Sequence, residues 1–396
     1  GEIEAIEKDV NLQYQKELLR LLRNNSNSIL TSSNRVEILK NGKEKFEKLV
    51  SDLSKAEKFI HMEYFIWRKD ILTEKIKNIL IEKAKSGVEV RILYDALGGF
   101  FLSHKYIYQL RKGGVKIYPY FNFLRPFRFH TLNYRNHRKI VVIDGNVAYT
   151  GGMNMAEEYI DGGERFESWK DTHLRLKGDV VEILQGIFAT SWFNTTKEKL
   201  FSSKYFPIGK KFKEKTAVQI TTSGPDSQWD SIKQLYFTLI SSAEKRVYIK
   251  SPYLVPDSSV MMALKVAALS GIDVRIMVTG VADKYLPYWA AQTYFKDLLK
   301  AGVKIYKYKK GFMHSKSVCV DGTVCSIGTA NMDVRSFYFN YEINSMIYDG
   351  LITKDLETEF LEDQKDCKEI TLESISKVRE FVNFRNSVAR LFAPLL

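Results

Sequence analysis

Cysteine is scarce in this 396-residue chain, which has three, at Cys319, Cys325 and Cys367. An odd count with no C-x-x-C pair excludes a disulfide-stapled scaffold and a zinc site, and it fits a reducing compartment. Cys319 and Cys325 stand among apolar neighbours and read as packing residues. Also missing is any run of about 18 apolar residues, so no stretch of this sequence suits a bilayer-spanning helix. The first residue is Gly rather than Met, with no signal-peptide pattern after it, and the expectation is that an upstream membrane anchor has been removed. Negative charge is in the minority: 47 Asp and Glu face 60 Lys and Arg, a formal net charge of +13. That balance favours an anionic partner, whether nucleic acid, an acidic lipid surface or a phosphate-bearing substrate.

What the chain does have is one stretch written twice. The first copy runs from His137 through Lys139 to Asp144-Gly145, followed by Gly151-Gly152-Met153-Asn154. The second runs from His314 through Lys316 to Asp321-Gly322, followed by Gly328-Thr329-Ala330-Asn331. Both read H-x-K-x4-D and then G-x-x-N, and His, Lys, Asp and Asn are each offset by 177 positions. A single such pattern arises by chance in roughly one chain of this size in fifty, so two copies with the same trailing spacing are a duplication.

With 45% hydrophobic residues, the chain is long enough for two domains with sizeable cores. Residues 3–23 carry apolar positions at helical spacing, and 24–34 read as a polar linker. From residue 58 strands alternate with helices: 59–66, 88–94 and 115–118 read as strands, with helical runs between them. The rhythm returns at 247–253, 272–277 and 303–306, with the echoes SGVEVRIL against SGIDVRIM and GGVKIYPY against AGVKIYKY. This is a duplicated α/β domain with a mixed, largely parallel sheet. The lysine-rich, poorly periodic stretch 195–216 marks the boundary, giving 1–34 as N-terminal helix and linker, 35–205 as the first domain and 206–396 as the second.

On a strand, residues i and i+2 share a face, so His137 with Lys139, and His314 with Lys316, should point the same way. Each pair offers an imidazole able to attack or move a proton beside a fixed positive charge for a phosphate oxygen. Asp-Gly is a tight-turn signature, so Asp144 and Asp321, although members of the motif's catalytic set, more often serve architecture than acid–base work. The Asn154 and Asn331 amides suit a phosphate oxygen. Asp171 and Glu342 each open the strand after the Asn motif. They are the candidates to hold the second ring nitrogen of a histidine and fix its tautomer.

The duplicated motif resembles the phospholipase D superfamily. The stretches 133–139, 169–173, 251–256, 328–337 and 390–396 are similar to those of its bacterial cardiolipin synthases, with coverage from about residue 35 to the end. The resemblance implies two tandem α/β/α sandwich domains related by a pseudo-two-fold axis around one active site. It also implies transfer of a phosphatidyl group from one phosphatidylglycerol to another through a phosphatidyl-histidine, with glycerol released and no metal or other cofactor. Lys139, Lys316, Asn154 and Asn331 would stabilise the pentacoordinate phosphorus. By analogy His137 is the nucleophile and His314 the acid and base, although the near-symmetric sequence leaves that open. Members usually begin with two transmembrane helices, absent here. The implied location is the bacterial cell membrane with the catalytic part on the cytoplasmic side. Gly152 stands where the wider superfamily often has a hydroxyl residue, which Thr329 keeps in the second copy.

Two segments suit a lipid surface. Residues 118–128 interleave aromatics with basic residues, giving Phe121, Phe123, Arg125, Phe127 and Arg128 as membrane contacts, with Tyr288 and Trp289 at the comparable place in the second half. The basic, apolar run 375–396 is a further candidate. Phosphatidylglycerol and an anionic bilayer are thus the expected partners. The competing readings are a phospholipase D hydrolysing with water, transfer to another alcohol, a phosphodiester nuclease and a non-catalytic lipid-binding module. No nucleic-acid motif supports the nuclease, and two complete motifs argue against the last.

Overall fold

A computed structural model describes residues 13–100, 102–120, 133–207, 212, 215–378 and 380–392. Its architecture grows from the duplicated hairpin. Strands Ile140–Ile143 and Val147–Gly151 pair antiparallel, as do Ser317–Val320 and Val324–Gly328. At each turn the Asp-Gly pair takes positive φ at both residues, 54° and 67° for Asp144-Gly145 and again for Asp321-Gly322. Two consecutive left-handed residues define the type I′ turn that matches strand twist.

Around each hairpin the same sheet is assembled. In the first half the order is Asn34–Leu39, His173–Gly178, Val147–Gly151, Ile140–Ile143, Phe59–Tyr64, Glu89–Asp95, Lys116–Tyr120. In the second it is Ala217–Ser223, Asn340–Tyr348, Val324–Gly328, Ser317–Val320, Arg246–Lys250, Asp273–Thr279, Lys304–Tyr308, with Leu30–Thr31 and Cys367–Ile370 added at the edges. The expected largely parallel pairing needs correction. Only the three strands joined by helical crossovers run parallel in each half, and the hairpin and its flanks are antiparallel. Crossover helices force parallel neighbours, whereas two-residue turns force antiparallel ones.

Helices cover both sheets. Gly42–Ser54 and Ile71–Lys85 pack on the outer face of the first through Leu49, Leu53, Ile76 and Leu80. Ser231–Ser241, Ser258–Leu269 and Tyr285–Lys300 do the same for the second through Leu235, Leu264 and Phe295. Between the sheets lie Val180–Thr196 and Gly350–Gln364, whose Leu184, Phe188, Leu356 and Phe360 join apolar residues of both sheets in one cluster. The layer order is therefore helix, sheet, helix, sheet, helix, with the two sandwiches sharing their middle layer. Cys319 and Cys325 face each other across the second hairpin as buried free thiols.

The expected linker 24–34 is also corrected. Helix Gln13–Ser26 inserts Leu18 and Leu22 into the core of the second half, and Leu30–Thr31 extends that half's sheet by pairing with Ala217–Ser223. The polar residues are there because they hydrogen-bond: Ser28 Oγ donates to Ile220 O and Thr31 Oγ1 to Val218 O. The expected divide at 205/206 falls between Tyr205, packed on Phe59 and His61, and strand Ala217–Ser223.

The halves also exchange short strands. Arg135–Asn136, just before the first motif histidine, pairs parallel with Asn340–Tyr341 of the other half. Phe312–Met313, just before the second, pairs parallel with Trp169–Lys170. This exchange positions the site.

Candidate active site

Because the strands cross over, each motif histidine is anchored by the opposite half. The His137 backbone N–H donates to Tyr341 O at 2.9 Å, and that of His314 to Lys170 O at 2.8 Å. The next residue along each partner strand is the carboxylate. Glu342 Oε2 lies 2.9 Å from His137 Nδ1, and Asp171 Oδ2 lies 2.7 Å from His314 Nδ1. An ionised carboxylate at Nδ1 fixes the proton there and leaves Nε2 with its lone pair free for chemistry. The expected pairing of these carboxylates with the histidines is thus met, with the partners swapped between halves.

The two lysines lie buried beneath the imidazoles. Lys139 Nζ donates to His137 O at 2.7 Å, and Lys316 Nζ donates to His314 O. Burial lowers Lys139 to about 7 and Lys316 to about 8, with the two ammonium groups acting on each other against Glu342 and Asp171. Burial likewise drops His137 to about 4 and pushes His314 well below its ordinary value. A charge on His137 acts on His314, so the imidazoles share one electrostatic environment. With two neutral imidazoles over two lysines, the site favours an anion: a bound phosphodiester would restore the lysines' charge and raise the histidines.

The asparagines differ. Asn154 is buried, donating from Nδ2 to the Tyr159 hydroxyl at 2.6 Å and accepting from Ile66 N–H at 3.1 Å. Its amide therefore braces the wall behind His314, where the rings of Tyr159, Trp169 and Phe312 lie 5.5 to 5.8 Å from the imidazole. Asn331 lines the open cleft, donating to Asp333 Oδ2 at 3.0 Å. Of the two expected phosphate donors, the geometry keeps only Asn331 beside the cleft.

Asp144 and Asp321 do not join the cluster at all. Their strands carry them about 16 Å from the lysines, at roughly 3.3 Å per residue. Asp144 accepts the backbone N–H groups of Glu57, Lys58 and Phe59 at 2.7 to 2.9 Å, and Asp321 those of Glu244, Lys245 and Arg246 at 2.8 Å. They pin the start of the neighbouring strand. This corrects their place in the catalytic set.

The expected membrane residues are placed only in part. Phe121, Phe123, Arg125, Phe127 and Arg128 lie outside the described residues. Tyr288 and Trp289 are half-buried: the Tyr288 hydroxyl donates to Gly280 O, and the Trp289 ring lies beneath Arg385 at 4.3 Å. Tyr285 and Leu286 on the same helix are exposed, and the Tyr285 ring packs on Trp289 at 5.5 Å.

Sequence reasoning missed several participants. The cleft above His137 is lined by Phe65, Arg135, Lys284 and Arg335, and the Phe65 ring meets His137 edge-on at 4.9 Å. Lys45, fully buried, donates to Met153 O and Asn154 O behind the site. Its signal was a lysine on the same helical face as Phe46, Leu49 and Leu53. Thr329 Oγ1 donates to Glu342 Oε2 at 2.5 Å. A Cβ on Gly152, the equivalent position, would fall 2.1 Å from Asp171 Oδ1.

Comparison with known proteins shows which family the chain resembles. The family described as "Cardiolipin synthase, PLD-like domain" matches residues 49–172 and 236–364, one segment for each motif. A cardiolipin synthase of Geobacillus sp. (strain WCH70) is 44% identical over 393 residues, spanning 99% of this chain and 78% of that protein. The major cardiolipin synthase of Bacillus subtilis (strain 168) is 42% identical over 385 residues, spanning 96% of this chain and 79% of that protein. Among solved structures, the phosphatidylserine synthase of Haemophilus influenzae Rd KW20 superposes with a TM-score of 0.70 at 16% identity, covering 96% of this chain and all of that one. A polyphosphate kinase from Porphyromonas gingivalis gives a TM-score of 0.59 at 12% identity over 89% of this chain and 53% of its own. At such identities these two report the fold alone.

Proposed function

The chain belongs to the cardiolipin synthase family of phospholipase D-like proteins, and from that premise we propose how its site carries out phosphatidyl transfer between two phosphatidylglycerol molecules. The observation that carries the reading is the pair of imidazoles, each held at Nδ1 by the other half's carboxylate and backed by a buried lysine.

In the first step His137 Nε2 attacks the phosphorus of one phosphatidylglycerol. The P–N bond forms and the P–O bond to the glycerol headgroup breaks, while His314, which takes up a proton at Nε2 when the bound phosphodiester anion raises its affinity for one, gives that proton to the departing oxygen. Lys139, Lys316 and Asn331 stabilise the oxygens of the pentacoordinate phosphorus. In the second step the headgroup hydroxyl of another phosphatidylglycerol gives its proton to His314 and attacks phosphorus, and the P–N bond breaks. Two phosphatidylglycerols become one cardiolipin and one glycerol.

A bilayer phospholipid as substrate puts the working protein at a membrane, and the basic cleft rim of Arg135, Lys284 and Arg335 suits an anionic one. The bacterial cell membrane is the proposed location, with the catalytic part on the cytoplasmic side in keeping with three free thiols. Among the described residues no helix is long and apolar enough to cross a membrane.

The test is mass spectrometry of lipids after incubation with phosphatidylglycerol vesicles, beside His137→Ala. Cardiolipin and glycerol in equal amounts from the wild type, with at least roughly 10³-fold less from the variant, is the expected result. Phosphatidic acid without cardiolipin would make water the acceptor and overturn the synthase reading.

A further inference from the structure

The C-terminal helix Glu380–Leu391 docks on helix Tyr285–Lys300 with its buried face, centred on Asn386 and Ala389. Arg385 lies over the Trp289 ring at 4.3 Å and Arg390 over the Tyr294 ring at 4.4 Å. Five residues separate each pair of contacts on both helices, so the two run side by side in the same direction. The second helix starts at the catalytic cleft, which Lys284 and Pro287 line. The N-terminal end of the C-terminal helix is therefore beside the cleft mouth.

Its remaining apolar residues have no cover among the described residues. Phe381, Phe384 and Leu391 are 76%, 68% and 78% exposed, and Val388 is exposed with them. At 100° per residue these four fall within roughly 80° of arc, a single stripe along the helix. It begins level with Tyr285 and Leu286, which are themselves exposed at the cleft rim. Arg385 borders the stripe on one side, Arg390 lies nearer the docked face, and Glu380, the one carboxylate on the helix, borders the stripe at its other edge.

We propose that this stripe, with Tyr285 and Leu286, is the surface through which the chain seats on an anionic phospholipid bilayer, bringing the cleft mouth down to its substrate. The inference rests on the phosphatidyltransferase reading and adds to it the face that meets the membrane. An exposed apolar stripe with an arginine at its border is the pattern of a helix lying in the headgroup zone: rings enter the acyl boundary while the Arg385 guanidinium meets lipid phosphates. A protein partner would leave the continuity of the stripe with the lipid-binding cleft unexplained.

Vesicle flotation tests it apart from catalysis. The wild type should float with phosphatidylglycerol vesicles and far less with phosphatidylcholine. The triple variant Phe381→Ser/Phe384→Ser/Leu391→Ser should bind at least about tenfold more weakly while keeping its cooperative thermal transition. A single Phe384→Trp change should add tryptophan emission that brominated acyl chains quench. Unchanged flotation of the triple variant, no added quenching, or a wild-type dimer that the triple variant turns into monomer would each overturn the proposal. Turnover of a short-chain, monomeric phosphatidylglycerol reads the catalytic assignment separately. No product from the wild type there would fail that assignment, whatever the vesicles show.

Discussion

His137 and His314 occupy equivalent places in the two halves, yet the carboxylates that hold them are shifted in opposite directions. Burial works against ionisation of Glu342, but the His137 and Lys139 charges, with the hydrogen bonds from His137 and Thr329, hold it below the usual carboxylate range. Asn340 Nδ2 adds a donor to Oε1 at 3.0 Å. Asp171 is buried as deeply, and burial prevails over Lys316 and the Thr172 N–H, lifting it to about 6. One cause is visible in sequence: Thr329 supplies a hydroxyl to Glu342, and its counterpart Gly152 supplies none to Asp171. An ionised partner suits a histidine that must become positively charged on attacking phosphorus. A partner titrating near neutrality suits one that passes a proton back and forth. A duplicated frame has thus acquired two different half-sites.

The sharpest way to break this comparison is to neutralise each carboxylate in turn. Glu342→Gln removes the ionised acceptor and should lower kcat by roughly 10²- to 10⁴-fold, as expected when a catalytic histidine loses its orienting anion. Asp171→Asn should cost less, about tenfold to 10²-fold, because burial already disfavours that anion. Steady-state kinetics on vesicles decide the order; a larger loss at Asp171 would reverse the assignment of roles. Next in size is the alkaline limb of kcat/KM. Lys139 and Lys316 sit at about 7 and about 8, far below an ordinary lysine, so they lose charge as pH rises through that window. Because kcat/KM reports the free enzyme, it should fall as pH rises across that range. A profile flat to about pH 9 would show that the phosphate needs neither charge. The smallest effect on chemistry belongs to Asp144→Ala. Losing three backbone hydrogen bonds to a carboxylate should lower unfolding stability by about 2–4 kcal/mol, with kcat of the folded protein nearly unchanged. Urea denaturation beside kinetics checks this; loss of kcat without loss of stability would return Asp144 to the catalytic set.

Much of this was legible in the chain. The 177-residue repeat of His, Lys, Asp and Asn announced two equivalent halves, and Asp-Gly in both copies foretold tight turns, which the positive φ angles show to be type I′. What escaped was contact between distant segments. That Asp171 would hold the other half's histidine follows from the parallel exchange of two-residue strands, which carry too little pattern to be read in isolation. The linker became an edge strand because Ser28 and Thr31 satisfy their hydroxyls on strand Ala217–Ser223, and composition alone does not distinguish such serines from solvated ones. The seat that Trp289 gives Arg385 was equally hidden, since its partner helix lies almost a hundred residues further on.

The division of labour between the halves is tested most directly by locating the covalent intermediate. Wild-type protein mixed with phosphatidylglycerol, quenched within a single turnover and digested under conditions that preserve phosphoramidates, should yield a phosphatidyl adduct on the peptide containing His137 and none on that containing His314. An adduct on His314 would contradict the account, and would make Asp171 rather than Glu342 the carboxylate that supports the nucleophile.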